Sequence, residues 1–228
     1  DEQGYIWIGT INGLQRFDGT RFITFRHNPA DPHALPDNYI YQLHIDKEQH
    51  LWVLLNNGKI GIFDTRRFVF KEVKIRLKNQ RHLTAIRSLL EDSGGNLFYV
   101  IPHEEILTFS KKNNEFAAVH NPFDSPPNWR VGNVIEDSVA KKYWIATDSG
   151  MAVFNKITRQ LSYRGHNTEK EPFIEQFGNI TGISNYGVDA QRRLWFLSWP
   201  YTRGWGLIYC YDLNKEKAVF KDYNLVPL

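Results

Sequence analysis

The sequence contains little cysteine, no long apolar run and little net charge. Cys210 is its sole cysteine, which excludes an intrachain disulfide and a multi-cysteine metal site. No apolar stretch approaches the roughly 18 residues that a membrane-spanning helix needs. The 28 Lys and Arg residues and 25 Asp and Glu residues leave a net charge of +3, too small to indicate a nucleic-acid partner. The composition is therefore that of a globular protein without a nucleic-acid partner.

Motifs of catalysis and of cofactor binding are also absent. The sequence has no H-E-x-x-H, no G-x-S-x-G, no glycine-rich phosphate loop and no cysteine pair. We therefore expect no catalytic residue, no metal site and no cofactor, and we do not expect an enzyme.

What the sequence does contain is a fixed repeat of about 45 residues. An Asp precedes an aromatic residue five times, and a second aromatic residue follows each pair. Such a period indicates copies of one supersecondary unit. The Asp residues are Asp1, Asp46, Asp92, Asp137 and Asp189; the first aromatic residues are Trp7, Trp52, Phe98, Trp144 and Trp195; the second are Phe17, Phe63, Phe109, Phe154 and Tyr211.

Each repeat is predicted to form four short strands, A to D. In the second repeat these are residues 39–45, 51–55, 59–63 and 68–73, separated by turns rich in Asp, Asn and Gly. Helical 3.6-residue periodicity is absent, which excludes an α-solenoid of similar period. The pattern predicts an all-β fold, a β-propeller of four-stranded antiparallel blades. The expected repeats span residues 1–38, 39–82, 83–130, 131–179 and 180–228.

The first repeat lacks its strand A, because Asp1 already lies in the A–B turn. Stable proteins avoid an uncovered sheet edge. We therefore expect residues 1–228 to be one portion of a larger propeller of six to eight blades, with seven the expected number.

The seven tryptophans fall into two classes. Four occur once per repeat at the start of strand B, a position typical of packing between blades. Trp129, Trp199 and Trp205 lie outside this register. The interval between the two aromatic residues is 10 or 11 residues in the first four repeats but extends from Trp195 to Tyr211 in the fifth, so the last two lie in an insertion.

The insertion is a B–C loop, and B–C and D–A loops of a propeller share one face, where ligands bind. Aromatic rings stack on sugar rings and Arg binds hydroxyl, carboxylate or sulfate groups. The alternative is that these aromatics fold onto the loop or cover a neighbouring module. The candidate ligand-binding residues are Trp199, Tyr201, Arg203 and Trp205 in this loop, Trp129 and Arg130 in a D–A connection, and His103 and Glu104 in a B–C turn.

Two further D–A segments lie on the same predicted face. They contain His27-Asn28 and His166-Asn167, which could line it, although a single loop residue of this kind is more often simply solvated. The long connection 164–178 is predicted to be a mobile lid or a surface loop.

Two motifs in the first repeat resemble a known family, the two-component-regulator propeller repeat. They are G-x-x-W-I-G-T-x-x-G-L-x-x-F-D-G from Gly4 to Gly19 and L-P-D-N-x-I from Leu35 to Ile40. The family builds the extracytoplasmic sensor of hybrid two-component histidine kinases. The resemblance implies a periplasmic sensor that binds an oligosaccharide breakdown product, within a dimeric receptor whose remaining blades and downstream domains are its partners.

Two other functions remain open. A structural or protein-interaction propeller would have no ligand site in this chain. A propeller lyase or glycosidase would need acidic or His side chains that converge on the central channel, whereas a sensor needs an aromatic loop cluster and no turnover.

Overall fold

The computed structural model describes residues 1–77, 87–102, 104–124, 126, 128–199 and 206–224. Within them the chain forms nineteen β-strands, one short α-helix and one turn of 3-10 helix. The predicted all-β fold class is confirmed. The chain divides into two compact units. The first unit comprises 1–99 and 107–120, and the second comprises 100–106 and 121–228.

The first repeat is a three-stranded antiparallel sheet. Its strands are β1 (Ile6–Thr10), β2 (Gly13–Phe17) and β3 (Phe22–Phe25). Gly9 allows the second repeat to pack closely, because a Cβ at Gly9 would lie 2.6 Å from Cγ2 of Ile40. The sheet contains strands B, C and D of the predicted repeat.

The second and third repeats share one eight-stranded sheet, in the order β4-β5-β6-β7-β11-β10-β9-β8. The second repeat is β4 (Ile40–Ile45), β5 (Leu51–Leu55), β6 (Ile60–Asp64) and β7 (Val69–Arg76). The third repeat is β8 (Ser88–Glu91), β9 (Leu97–Ile101), β10 (Glu105–Ser110) and β11 (Glu115–Ala117).

The two repeats join through their D strands. The predicted four-stranded blades did not include such a pairing. β7 pairs with β6 only as far as Val73, opposite Ile60. Its last three residues then pair in parallel with β11, with Ile75 opposite Phe116. An ion pair of 3.0 Å between Arg76 and Glu115 lies at the same junction. The unusual length of β7 therefore supplies the extra pairing.

The fourth and fifth repeats are separate four-stranded sheets. The fourth is β12 (Val131–Asp137), β13 (Lys142–Thr147), β14 (Gly150–Asn155) and β15 (Leu161–Ser162). The fifth is β16 (Ile183–Val188), β17 (Arg193–Ser198), β18 (Leu207–Asp212) and β19 (Lys217–Asn224).

The connection between these two repeats contains the helix α1 (Pro172–Phe177). The prediction of a lid or surface loop over residues 164–178 is wrong for this part. Phe173 and Phe177, one helical turn apart, share a face and are buried. Their rings lie 5.5 and 5.4 Å from that of Phe196, so the helix supplies core packing between repeats four and five.

Three of the four in-register tryptophans pack against the next repeat, as predicted. Trp52 of the second repeat meets Phe109 of the third edge-on, with ring centroids 5.0 Å apart. Trp7 meets Phe63 of the second repeat at 5.6 Å. Trp144 of the fourth repeat lies 6.3 Å from Tyr211 of the fifth.

In the first, second and fifth repeats, the Asp that opens the repeat has a second role besides its turn. Its carboxylate accepts a hydrogen bond from the indole N–H of the tryptophan six residues later. The Nε1–Oδ2 distances are 2.6 Å for Trp7 and Asp1, 2.8 Å for Trp52 and Asp46, and 2.8 Å for Trp195 and Asp189. Asp46 also accepts hydrogen bonds from the backbone N–H groups of Glu48 and His50. The Asp therefore fixes both the A–B turn and the indole ring.

The third and fourth repeats depart from this arrangement. In the third, Phe98 has no indole, and the amide of Asn96 donates to Asp92 at 2.8 Å instead. In the fourth, Asp137 and Trp144 are seven residues apart, and the indole N–H of Trp144 has no hydrogen-bond partner among the described residues. Asp137 instead accepts two hydrogen bonds from the guanidinium of Arg192, at 3.0 and 2.8 Å.

Candidate ligand-binding face

Four of the eight predicted ligand-binding residues lie in the described part of the chain. Trp129, Arg130, Glu104 and Trp199 are described. Tyr201, Arg203, Trp205 and His103 lie outside the described residues. The structure therefore gives a geometry for half of the predicted set.

Trp129 lies in an aromatic cluster formed by the two connections that flank the fourth repeat. Its ring is half-buried and meets Tyr163 edge-on, with centroids 5.3 Å apart. Tyr163 stacks on His166 at 5.1 Å, and the guanidinium of Arg164 lies 5.8 Å from the Trp129 ring. Gly150 lies beneath the Trp129 ring, and its φ of +141° and a backbone oxygen 3.1 Å from where a Cβ would be both favour glycine there.

A chain of hydrogen bonds links this cluster to Trp199. The backbone N–H of Arg130 donates to the Asp148 carboxylate, and that of Asp148 donates back to the Arg130 carbonyl, both at 3.0 Å. Gly182 then donates to the carbonyl of Asp148 at 2.7 Å, and Trp199 donates to that of Gly182 at 2.9 Å. Successive D–A and B–C segments are thereby held along one edge of the second unit.

Trp199 presents an apolar ring at this edge. Half of its surface, 50%, is exposed. The ring lies over Gly206, where a Cβ would come within 2.9 Å of the indole. A backbone bond and a glycine contact therefore fix the ring without burying it. We call the set Trp129, Arg130, Tyr163, Arg164, His166 and Trp199 the aromatic rim.

Glu104 is a solvent-exposed turn residue. Its backbone N–H donates to the carbonyl of Ile101 at 3.1 Å, which closes the B–C turn of the third repeat. No contact of its side chain with the aromatic rim is among those of the described residues. Its inclusion in the ligand site stays a prediction.

The aromatic rim combines partly exposed rings with exposed hydrogen-bond donors. Arg130, Arg164 and His166 are all exposed. Such a surface suits a ligand with flat apolar faces and many hydroxyl or acidic groups. Tyr163 and Arg164 were missed by the sequence analysis, although they directly follow strand D of the fourth repeat and so had to end at this edge.

The described residues contain no group of His, Cys, Asp or Glu side chains arranged to hold a metal ion. Titratable groups with shifted pKa values serve the fold. Desolvation acts against ionisation of Asp189, but hydrogen bonds from Trp195 and Arg193 outweigh it and lower its pKa to about 2. Burial raises the pKa of Cys210, whose thiol is fully buried. Neither group belongs to the aromatic rim.

Comparison with solved structures identifies the architecture. The extracellular domain assigned to the one-component system BT4673 from B. thetaiotaomicron aligns with the whole chain, with a TM-score of 0.61 and 19% identity. The extracellular domain assigned to the hybrid two-component system BT3049 from the same organism aligns with 98% of it, with a TM-score of 0.58 and 19% identity. The Dos1 propeller aligns with 96%, with a TM-score of 0.56 and 10% identity. The fold is that of β-propeller blades.

The chain spans 30% of the BT4673 domain, 27% of the BT3049 domain and 57% of the Dos1 propeller. No protein-family model and no curated protein matches the sequence. The extracellular domains of two-component systems that the sequence resemblance indicated are thus among its structural neighbours. No helix of the described residues has the length and hydrophobicity needed to cross a membrane.

Proposed function

We propose that the chain is part of the extracytoplasmic ligand-sensing domain of a hybrid two-component receptor and that it binds an oligosaccharide or a similar carbohydrate breakdown product. The aromatic rim is the observation that carries this proposal. The structural neighbours from two-component systems support the receptor context, and with it a periplasmic location. The kinase would lie in other parts of the receptor.

The chemistry of the rim favours a sugar. The exposed face of Trp199 suits the apolar C–H face of a pyranose ring, and Trp129 offers a second, partly covered ring. Arg130, Arg164 and His166 supply donors for hydroxyl groups around such a ring. Recognition of this kind requires no bond to be broken, so the chain binds its ligand without turnover.

Signalling requires that the ligand bind one state of the receptor more tightly than the other. A homodimeric receptor offers two such states as two arrangements of its protomers. The aromatic rim joins connections from repeats four and five, so a ligand that bridges them resists their separation.

We propose further that residues 1–228 form one portion of a larger propeller, of seven blades. The outer face of the first blade supports this, because Ile6 and Phe22 are 57% and 56% exposed and Ile8 is also exposed. Large apolar side chains in a row indicate a surface that another element covers. The same face is what favours the second candidate function, a structural or protein-interaction propeller.

Isothermal titration of the chain with a panel of plant and host glycan oligosaccharides, followed by product analysis, tests the function. We expect at least one oligosaccharide to bind and to be recovered intact. Trp199→Ala and Trp129→Ala should each weaken that binding by about tenfold or more, as for central aromatic contacts. Phe22→Ala, an equally exposed ring on the first blade, is the matched control and should leave affinity unchanged.

Three results would contradict the proposal. Equal affinity of the Trp199→Ala, Trp129→Ala and unchanged chains would remove the aromatic rim as the sugar site. Recovery of cleaved products would instead favour a propeller lyase or glycosidase. Binding of none of the sugars, together with capture of another protein domain that Phe22→Ala abolishes, would favour the interaction propeller.

A further inference from the structure

The first unit contains a buried arginine at the junction of the second and third blades. Arg87 directly precedes β8 and is 3% exposed. Its guanidinium lies on Gly58 in the B–C turn of the second blade, and it occupies the position that a Cβ on Gly58 would take. Gly58 has φ of +82°, so both the turn and the arginine require glycine there.

The polar groups around Arg87 leave part of it without a partner. Tyr99 lies beside it and donates its hydroxyl to the carbonyl of Gly58 at 2.9 Å. Burial raises the pKa of Tyr99 to about 12, and the charge of Arg87 and a hydrogen bond from its guanidinium to the Tyr99 hydroxyl oppose that rise. Among the described residues, nothing accepts a hydrogen bond from Nε or Nη2 of Arg87.

The sequence around Arg87 offers no counter-charge. Residues 73–90 contain no Asp or Glu, and Arg87 is one of several Lys and Arg residues there. The two acids that bound this stretch are already paired. Glu72 pairs with Lys59 at 2.9 Å and Glu91 with His44 at 2.8 Å. Arg87 has no ion pair within the part of the chain that the structure describes.

A buried cation without a counter-ion, two of whose nitrogens have no acceptor among the described residues, is costly, and proteins retain such groups where they serve a function. A guanidinium matches the two oxygens of a carboxylate or sulfate, which accept two parallel hydrogen bonds. We propose that Arg87 binds an oxyanion group, a carboxylate or a sulfate, of a small ligand at the junction of the second and third blades. The proposal is independent of the aromatic rim, since all its residues belong to the first unit.

Nε and Nη2 of Arg87 are both buried. An anion therefore reaches these nitrogens only after a local rearrangement around the guanidinium. Binding at Arg87 is therefore coupled to a local rearrangement, which is what a ligand needs if it is to shift a population between two states.

Differential scanning calorimetry of the 228-residue chain tests the site. The melting temperature is measured in sodium sulfate, sodium glucuronate and sodium chloride at matched ionic strength, and in glucose as the uncharged partner of glucuronate. The same series is run on Arg87→Met and on Arg66→Met, which removes an exposed arginine of the same unit. Arg66→Met corrects for the general stabilisation that sulfate gives by exclusion from protein surfaces.

We expect sulfate, glucuronate or both to raise the melting temperature above that in chloride, with no effect of glucose. Arg87→Met should lose this increment, equivalent to an affinity about tenfold weaker or more, because hydrogen bonds to charged groups are lost. Arg87→Lys should keep part of it, since it retains the charge without the planar fork. A response to sulfate alone assigns a sulfate-type ligand, and a response to glucuronate alone assigns a carboxylate.

Without added anion, Arg87→Met should melt at the same temperature as the unchanged chain or higher, because an unpaired buried charge has been removed. Anion responses that are equal in Arg87→Met and the unchanged chain, or absent from both, would overturn the proposal. If Arg87→Met does not fold by circular dichroism, Arg87→Lys decides between the outcomes, and an undiminished response in it would equally exclude a bidentate site.

Discussion

Blades two and four contain the same Asp and Trp at the junction of strands A and B, but they use them differently. In blade two, Asp46 is six residues before Trp52 and accepts its indole N–H at 2.8 Å. In blade four one further residue separates the Asp from the Trp, and the indole N–H of Trp144 has no partner among the described residues. Its Asp137 receives Arg192 of blade five instead.

The difference is between a bond inside one blade and a bond between two. Asp46 fixes a turn and a ring of its own hairpin, so it stabilises blade two locally. Asp137 and Arg192 lie 55 residues apart in sequence, so their pair joins blade four to blade five. The longer Asp-to-Trp spacing of blade four thus goes together with a contact between neighbouring blades in place of the local one.

The largest loss of stability is expected when the acceptor of the local bond in blade two, Asp46, is removed. Asp46→Ala leaves the buried N–H of Trp52 and the turn N–H groups of Glu48 and His50 without their acceptor. Loss of several such hydrogen bonds should lower the free energy of unfolding by about 3 kcal/mol. Urea denaturation measures the change. A loss below about 0.5 kcal/mol, the range of ordinary surface substitutions, would show that the carboxylate contributes little.

The next largest effect is the difference in stability loss between substitutions of the two tryptophans. Trp52→Phe and Trp144→Phe remove similar volumes from similarly buried positions, but only the first breaks a hydrogen bond and leaves the Asp46 carboxylate with one donor fewer. We expect Trp52→Phe to be more destabilising by about 1–2 kcal/mol. Equal losses in urea denaturation would mean that the indole bond adds nothing to the packing of the ring.

Lowering the pH should reveal the contribution of an Asp that bonds to the indole of its own blade, as Asp189 of blade five does. Hydrogen bonds from Trp195 and Arg193 lower the pKa of Asp189 from its ordinary 3.8 to about 2 in the folded chain. Because the folded pKa is the lower one, this carboxylate contributes stability above pH 4, which is lost as the pH falls from about 4 toward 2. Asp189→Asn should flatten the stability profile in that range. Urea denaturation at each pH measures the profile. A profile of Asp189→Asn identical to that of the unchanged chain would contradict the assignment.

The smallest effect is expected in blade three, where an exposed side chain replaces the indole donor. Asn96→Ala removes its amide hydrogen bond to Asp92, while the backbone N–H of residue 96 still donates to that carboxylate. The expected loss of stability is about 0.5 kcal/mol, as for surface substitutions. A loss as large as that of Asp46→Ala would mean that Asn96 replaces the indole in full.

The repeat period predicted most of this fold, because one strand pattern recurs in every blade and the strands follow from it. The Asp-to-Trp spacing was also visible, but turn chemistry accounts for an Asp before a hairpin and concealed its bond to the indole. Helix α1 has only six residues, too few for a periodic pattern. The pairing of β7 with β11 depends on three-dimensional proximity, which no local pattern encodes.

The candidate site was predictable in part. Trp129 and Trp199 departed from the repeat register, and both lie in the aromatic rim. Tyr163 and Arg164 carried no such signal, because an aromatic residue and an arginine after a strand are ordinary in any blade. Arg87 gave no signal either, since only its position over Gly58 distinguishes it from other basic residues of its segment.

The parallel pairing of β7 with β11 has a consequence for how the first unit opens. Strand D is the outermost strand of a blade, and it normally detaches first because only one neighbour holds it. Here residues 115–117 of β11 pair with β10 on one side and with the end of β7 on the other, so this strand is no longer an edge. The amide protons of residues 115–117 should therefore exchange with deuterium more slowly than those of a D strand that has a single neighbour.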